Sequence, residues 1–224
     1  MLLSFENVSF SYHQSKEVLR DITFNITDGE KVALLGLNGA GKSTLLLHTN
    51  GLLLPSKGRV LVEGSDTRSK NINEIRKKIG LVFQNPDDQL FMPTVWDDVA
   101  FGPQNMKLNK DEIKRRVNHA LEVTNTLHLA EKSPFQLSGG QKKAVSIATV
   151  LSMDTKFISL DEPTSGLDYE AVNNFISIIN KLPQACLIST HDMEVAKELC
   201  TRAIVIKEGQ IVYDGNFKDV PYPD

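Results

Sequence analysis

The segment KVALLGLNGAGKST, residues 31–44, decides the fold of this chain. It begins with a mostly apolar run, typical of a buried parallel strand, and continues into a glycine-rich loop and a helical stretch. The loop matches G-x-x-x-x-G-K-[S/T], in which backbone N–H groups surround phosphates, the lysine reaches the outer phosphates and the serine hydroxyl faces Mg²⁺. We therefore predict a nucleoside triphosphate site, because a chance glycine turn would not need both flanking elements. Its contacts are expected from Gly36, Asn38, Gly39, Ala40, Gly41, Lys42, Ser43 and Thr44.

A pair of acids stands at the end of a later predicted strand, KFISLDE at 156–162. In nucleotide-binding folds of this class an acid at a strand end holds Mg²⁺, so we expect Asp161 to do this, usually through water. Glu162 is placed to polarise an attacking water. The alternative is that either acid only caps the next helix.

Strand and helix patterns alternate along the chain. The beginning reads as strands and turns, residues 85–155 read mainly as helix, and strands return from residue 156. Within the helical stretch, Asn109 is a suitable N-cap with Glu112 three residues later. The sequence thus predicts an α/β sheet interrupted by a helical insertion.

Composition narrows the class of protein. The 224 residues carry a formal net charge of −3, which favours neither nucleic acid nor an anionic membrane surface as a partner. We find no signal peptide and no apolar run of the ~18 residues that a membrane span needs. Cys186 and Cys200 are expected to be reduced thiols. A role at a membrane would therefore require a partner protein.

A second candidate anion site follows at residues 137–141, LSGGQ, which opens a predicted helix. A serine and two glycines at a helix start leave backbone N–H groups available to an anion. Backbone donors supplied by a second molecule would make association depend on the γ-phosphate, which hydrolysis removes.

Six motifs in this order resemble the ATP-binding cassette (ABC) ATPases: GLNGAGKST, Gln84, LSGGQ, FISLDEP, SGLD at 165–168, and His191. The resemblance runs from residue 2 to about residue 216. It implies one ABC ATPase domain over 1–224, an α/β P-loop NTPase with an antiparallel β subdomain and a helical insertion subdomain. The core would comprise 1–84 and 156–224, and the helical subdomain 85–155.

The resemblance also implies that two cassettes bind head to tail, so that LSGGQ of one covers ATP held by the other. The second cassette would be a copy of this chain or a paralogue. Ser138 and Gly140 would then contact the γ-phosphate. The nucleotide contacts carried over from this motif are Ser138, Gly139, Gly140 and Gln141.

Further single positions carry over from the family. Gln84 matches the glutamine that contacts Mg²⁺ and the attacking water, although a surface polar residue would also fit there. His191 matches the histidine that contacts the γ-phosphate and supports Glu162; the alternative is a polar residue at a strand end. Tyr12 matches the aromatic residue that stacks on adenine, with a core tyrosine as the alternative. Asp168 lies in the stretch that crosses to the partner cassette.

The chain departs from the family pattern at one position. The arginine usual three residues after the LSGGQ glutamine is replaced by Ala144, with Lys142 and Lys143 beside it. The missing arginine would weaken packing of the signature helix, unless Lys143 compensates. We expect activity to persist, because no nucleotide contact is assigned to this position.

Residues 85–105, NPDDQLFMPTVWDDVAFGPQN, resemble the ATPases of energy-coupling factor importers. In transporters this region receives a short helix of the membrane subunit, so we expect the transmembrane (T-type) subunit to dock here. Leu90, Phe91 and Met92 would offer an apolar patch, or Asp88 would cap a helix and the triplet would pack internally. Since the chain ends at Asp224, it resembles the short form of metal-type and biotin-type systems. These expectations describe ATP- and Mg²⁺-dependent uptake of a metal ion or vitamin (cobalt, nickel or biotin type), with a substrate-binding membrane subunit in the complex.

Alternative functions remain open from the sequence. The nearest is the ATPase of a conventional ABC transporter, which co-purification with a membrane subunit would distinguish. An ABC ATPase acting on nucleic acid is disfavoured by the absence of coiled-coil insertions or a second fused cassette, and a small-molecule P-loop kinase has no use for LSGGQ. We therefore expect no nucleic-acid partner and a peripheral position on the cytoplasmic face of the cell membrane.

Overall fold

The computed structural model describes residues 1–12, 17–70 and 72–221. Their contacts divide the chain into two units. The first contains Met1–Leu81, Lys156–Glu162 and Pro183–Asp224, and the second contains Val82–Thr155 and Pro163–Leu182. None of the helices in these described residues has the length and apolar character that crossing a membrane requires.

Within the described residues, the first unit holds the strands, apart from Val82 at the end of β6, and three helices. Its strands are β1 (Leu3–Phe10), β2 (Leu19–Ile26), β3 (Lys31–Leu35), β4 (Lys57–Val62), β5 (Ser65–Asp66), β6 (Ile79–Val82), β7 (Phe157–Asp161), β8 (Ala185–Ser189), β9 (Arg202–Lys207) and β10 (Gln210–Asn216). Its helices are α1 (Lys42–Thr49), α2 (Ile72–Arg76) and, after β8, a helix over Met193–Leu199 that is α7 in chain order.

The larger sheet has the strand order β10-β9-β3-β8-β7-β6. Strands β3, β7 and β8 are parallel and almost entirely buried, which explains their continuous apolar sequences. Leu34 on β3 and Asp161 on β7 both pair in register with Ser189 on β8. The carboxyl ends of these strands therefore meet at one edge, where α1 also begins.

The smaller sheet has the order β2-β1-β4-β5, and its pairings are antiparallel. It confirms the predicted antiparallel β part of the fold. Glu208 and Gly209 form the turn that joins β9 to β10, and both residues have positive φ there. Cys186 and Cys200 are free and buried, and burial raises the pKa of each thiol to about 12.

The second unit is helical. It contains α3 (Val95–Asn105), α4 (Lys110–Val123), α5 (Gly139–Leu151), α6 (Tyr169–Lys181) and short 3₁₀ helices at Pro86–Asp88, Leu127–Leu129 and Pro134–Gln136. Its core is apolar and almost fully buried: Leu90, Val95, Val99, Ala100, Ile113, Val117, Ala120, Leu121, Leu129, Leu137, Val145 and Ala148.

Helix caps in this unit follow the sequence. Asn109 accepts a hydrogen bond from the N–H of Glu112 at 2.9 Å, as predicted, while the Glu112 carboxylate pairs with two arginines of the same helix. The predicted helical subdomain over 85–155 stays a prediction. By contacts the helical unit also includes Pro163–Leu182, which the sequence analysis assigned to the core.

Candidate functional site

The glycine-rich loop joins β3 to α1 at the carboxyl edge of the larger sheet. Gly36 has φ 152°, and a Cβ at this position would lie 2.3 Å from the carbonyl oxygen of Ile206 on β9. Only glycine fits, because any side chain would collide with backbone. The loop is also tied to the β9–β10 turn, since the N–H of Gly209 donates to the Ala40 carbonyl at 3.1 Å. The close approach at Gly36 and the hydrogen bond from Gly209 thus fix the backbone of the loop against β9 and the β9–β10 turn.

Lys42 is the first residue of α1 and its side chain lies within the loop. Nζ donates to the carbonyl oxygen of Gly36 at 2.7 Å and lies 3.4 Å from that of Leu37. It also lies 3.6 Å from Oε1 of Glu162. The residue is only 6% exposed, so its charge is confined to the loop and the adjacent acid.

The two candidate acids are joined through a residue that the sequence analysis did not select, Ser189. Its hydroxyl donates to Oδ1 of Asp161 at 2.6 Å and accepts from the N–H of Glu162 at 3.1 Å. The signal was available, since Ser189 ends an otherwise apolar strand beside β7. The helix that follows the acids begins only at Tyr169 and is capped by Asp168, so neither acid caps it.

Glu162 and His191 are in direct contact. Nδ1 of His191 lies 2.8 Å from Oε2 of Glu162. The Glu162 backbone has φ 41°, an uncommon value for a residue with a side chain, and the residue is 7% exposed. Local strain of this kind is concentrated at functional positions.

Tyr12 lies beside the end of the glycine-rich loop. Its hydroxyl is 3.2 Å from Oγ1 of Thr44, and its ring packs edge-on against Phe10. Tyr12 is 41% exposed, so it is not the core tyrosine considered as the alternative. Phe10 also contacts the buried ring of His48, whose pKa is lowered by desolvation.

The LSGGQ motif forms the start of α5 in the second unit. Ser138 is the N-cap: its hydroxyl accepts from the N–H of Gln141 at 3.3 Å, and the Gln141 side chain accepts from the N–H of Ser138 at 3.1 Å. Ser138 and Gly139 are exposed. Because the N–H groups of the first helical residues have no intrahelical acceptor, this turn can receive an anion.

A cavity of about 440 Å³ lies beside this turn. It is lined by residues of α5, of α6 and of the 124–129 turn, among them Ser138, Ala144 and Asp168. Ala144, which is buried, thus contributes part of the wall of this cavity.

Gln84 follows β6 and is exposed. Its carbonyl oxygen accepts a hydrogen bond from Nζ of Lys143, which is buried. Lys142 forms an ion pair with Asp87 at 2.6 Å. Lys143 thus ties Gln84, which immediately precedes the 85–105 segment, to α5. Compensation by Lys143 for the missing arginine stays a prediction. Gln84 belongs to the second unit, whereas Asp161, Glu162 and His191 belong to the first.

The apolar triplet in 85–105 divides between two environments. Leu90 is buried in the helical core, whereas Phe91 is 59% exposed and packs edge-on against Phe101. Asn85, not Asp88, caps the 3₁₀ helix at Pro86–Asp88. Of the two alternatives, internal packing thus holds for Leu90 alone.

Comparison with known proteins decides the family. The family model described as ABC transporter matches residues 19–165. The chain belongs to the ABC transporter family.

Relatives of this ABC protein match nearly its whole length. The energy-coupling factor transporter ATP-binding protein EcfA of Methanocaldococcus jannaschii is 44% identical over 98% of this chain and 80% of the relative. A solved structure of cbiO1 from Clostridium perfringens, described as part of the ABC transporter complex cbiONQ, superposes with a TM-score of 0.88 at 42% identity, covering 97% of this chain and 89% of that chain.

A second solved structure is a dimeric ATP-binding cassette in a post-hydrolysis state, bound to ADP and Pi. It superposes with a TM-score of 0.86 at 28% identity, covering 98% of this chain and 100% of that chain. These matches confirm the predicted fold, an α/β ABC ATPase with an antiparallel sheet and helical elements. The chain is an ABC ATPase and binds ATP.

The oxygen atoms at the carboxyl edge of the larger sheet fit a hard cation such as Mg²⁺. Ser43 presents an exposed hydroxyl, and Asp161 a half-buried carboxylate. The described ranges contain no cluster of three or more His, Cys, Asp or Glu that could hold a metal without further ligands. In P-loop NTPases, nucleotide phosphates supply further oxygen ligands to such a cation.

Proposed function

We propose that this ABC ATPase powers an energy-coupling factor type importer that takes up a metal ion or a vitamin. The observation that carries the proposal is the 44–45% identity to EcfA proteins over 96–98% of this chain. The protein would act at the cytoplasmic face of the membrane, attached through its partners. A conventional ABC importer or exporter remains the second candidate.

Nucleotide binding would rest on the glycine-rich loop and Lys42. The loop N–H groups and the α1 N-terminus favour negative charge, and Lys42 Nζ can exchange its loop carbonyls for phosphate oxygens. Tyr12 would stack on adenine. Ser43, Asp161 and Gln84 would hold Mg²⁺, which when bound neutralises charge on the phosphates.

Hydrolysis would use Glu162 as the base for the attacking water. Its carboxylate is oriented from two sides, by His191 at Oε2 and by the Lys42 ammonium near Oε1. Ser189 fixes the backbone of the same residue. A buried carboxylate held in this way accepts a proton without losing its position.

The second half of the site would come from another cassette. Ser138, Gly139, Gly140 and Gln141 form a helix start, exposed at Ser138 and Gly139, that would cover the γ-phosphate of ATP bound to a partner. A membrane subunit would dock on residues 85–105, where Phe91 and Phe101 are exposed. A substrate-binding membrane protein would complete the complex.

Light scattering on Glu162→Gln protein tests the cassette dimer. This variant keeps every proposed ATP contact and loses the base, so we expect a dimer with Mg·ATP and a monomer with Mg·ADP. The matched control is Lys42→Ala/Glu162→Gln, which should stay monomeric because it cannot hold ATP. A monomer under all conditions would exclude the homodimer, and full ATPase activity of Glu162→Gln would refute the assigned base.

Co-purification tests the importer type. The tagged chain should retain a T-type transmembrane subunit, and Phe91→Asp should abolish this association while leaving the ATP-dependent dimer. Leu52→Asp, which changes an exposed apolar residue of the first unit, serves as the control. Recovery of a conventional permease in place of the T-type subunit would favour the second candidate.

A further inference from the structure

The two glycines of the LSGGQ motif have different surroundings. A Cβ built on Gly139 would meet nothing within 4 Å. A Cβ on Gly140 would lie 2.8 Å from Cβ of Ala171 on α6, a separation that real Cβ atoms essentially never show. Gly140 must therefore be small because α6 lies against it, whereas Gly139 is constrained by no neighbouring side chain.

The residue opposite Gly140 is itself fixed at the start of α6. The N–H of Ala171 donates to Oδ1 of Asp168, the N-cap of α6, at 2.9 Å. On the other side, Gly140 lies between Ser138 and Gln141, which cap α5 reciprocally. The Gly140–Ala171 contact thus joins the first turns of two helices.

We propose that this contact sets the position of the LSGGQ turn relative to the Asp168 turn, and that Ala171 is a positioning residue for ATP hydrolysis. The inference rests on the proposed function, in which the LSGGQ turn covers ATP bound to the second cassette. A methyl group added at residue 140 would push the first turn of α5 away from α6, displacing Ser138 and Gly139. The phosphate loop, Lys42 and Glu162 belong to the other unit and would keep their own contacts.

The space beside the Gly140–Ala171 contact determines whether an added methyl group displaces the turn or unfolds the helical unit. The cavity of about 440 Å³ is lined by Gly140, Ala144 and Ala171, so a displaced α5 has room on one side. The added methyl should accordingly move the turn and leave the helical unit folded. The expected defect is a folded protein with a misplaced LSGGQ turn.

Compensating substitutions test the proposal. Gly140→Ala should lower ATPase activity by about tenfold or more, with unchanged affinity for a fluorescent ATP analogue and cooperative thermal unfolding. Adding Ala171→Gly removes the opposing methyl and should restore most of the activity. A double variant as inactive as Gly140→Ala would overturn the proposal, since Gly140 would then be needed for ligand approach alone.

Two further variants control the result. Gly139→Ala should not be rescued by Ala171→Gly, because no atom of residue 171 lies near residue 139. Ala171→Val should reproduce the loss seen with Gly140→Ala, although residue 171 has no proposed nucleotide contact. Wild-type activity of Ala171→Val would show that ATP hydrolysis does not depend on the close approach of residues 140 and 171, and would also overturn the proposal.

A second readout separates this inference from the proposed function. Wild-type protein without ATPase activity would contradict the function and say nothing against the contact. The same variants are therefore also compared in the Glu162→Gln background, where the readout is the ATP-dependent dimer mass. Loss of the dimer with Gly140→Ala and its return with Ala171→Gly would support the contact without any turnover, and failure to return would overturn it.

Discussion

Substitution of Tyr12 tests the proposed contact with the nucleotide base separately from the contacts with the phosphates. Tyr12 is exposed, its hydroxyl contacts Thr44, and its ring packs edge-on against Phe10. Tyr12→Ala should weaken ATP binding about tenfold, because stacking of a base on an aromatic ring contributes ~1–3 kcal/mol. Titration of the purified variant with a fluorescent ATP analogue measures this.

Tyr12→Phe is the matched variant for this test. It keeps the ring and removes only the hydroxyl that contacts Thr44, so its affinity should stay close to that of the wild type. Equal affinity of Tyr12→Ala and wild-type protein would show that the ring does not stack on the base.

The sequence identified the residues expected to act on the phosphates, but not the residue that holds two of them in place. Lys42, Asp161 and Glu162 follow from motifs, since each is a residue type that the phosphate chemistry requires. Ser189 does not, because a serine at a strand end is common and only the in-register pairing of β7 with β8 brings it to both acids. Pairing between strands far apart in sequence is a property of the folded sheet.

Among the elements, α5 carries two adjacent lysines with different expected roles. Lys143 is buried and bonds to the Gln84 carbonyl, whereas Lys142 pairs with the exposed Asp87. Lys143→Met should lower the free energy of unfolding by about 1–3 kcal/mol, since the Gln84 carbonyl loses a charged donor that is itself buried. Lys142→Met should change it by less than about 1 kcal/mol, as for other surface ion pairs.

Urea denaturation of both lysine variants measures the difference. If Lys143 replaces the missing arginine, Lys143→Met should also reduce ATPase activity, because residue 84 would lose its tie to α5. Equal stability of the two variants would contradict this role.

Helix α3 contributes a buried acid, Asp98, that supports the 85–105 segment. Oδ1 accepts from the N–H groups of Phe91 and Met92, and burial raises the pKa of the carboxyl, with Asp97 adding to the effect. The folded protein thus binds this proton more tightly than the unfolded chain, and the stabilisation is lost as pH rises through the folded pKa. The pH range over which this stabilisation is lost begins near the ordinary aspartate pKa of about 4.

Asp98→Asn tests this assignment. The amide oxygen can still accept both N–H groups, but residue 98 no longer titrates. Relative to this variant, the wild type should become less stable as pH rises above about 4. Thermal unfolding at several pH values gives the comparison, and a pH-independent difference between the two proteins would contradict it.

Features of the helices and strands that depend on neighbouring residues alone were predicted correctly. The Asn109 cap depends on a short-range hydrogen bond and on backbone preference, and it occurs as expected. The division of Leu90 from Phe91 could not be predicted, because it depends on how α3, α4 and α5 pack. The strand β5, only Ser65–Asp66, is too short to leave a periodic pattern.

For the whole molecule, the central prediction is that one active site is built from two cassettes. A Lys42→Ala chain has an intact LSGGQ turn, and a Ser138→Arg chain has an intact phosphate loop. Neither should hydrolyse ATP alone, but a mixture should regain activity, because mixed dimers contain one complete site. ATPase assays at increasing ratios of the two proteins measure this, and a mixture that stays inactive would exclude a site shared between copies of this chain.

The contacts of Lys42 also bear on which anions the loop admits. Nζ is occupied by the carbonyl groups of Gly36 and Leu37, so an incoming anion must replace these bonds as well as shed its own hydration. A triphosphate can engage the lysine and several N–H groups together, whereas a singly charged anion such as chloride brings less charge to the same donors. We therefore expect the loop to prefer a triphosphate to a singly charged anion, so that chloride salts should weaken ATP binding mainly by screening.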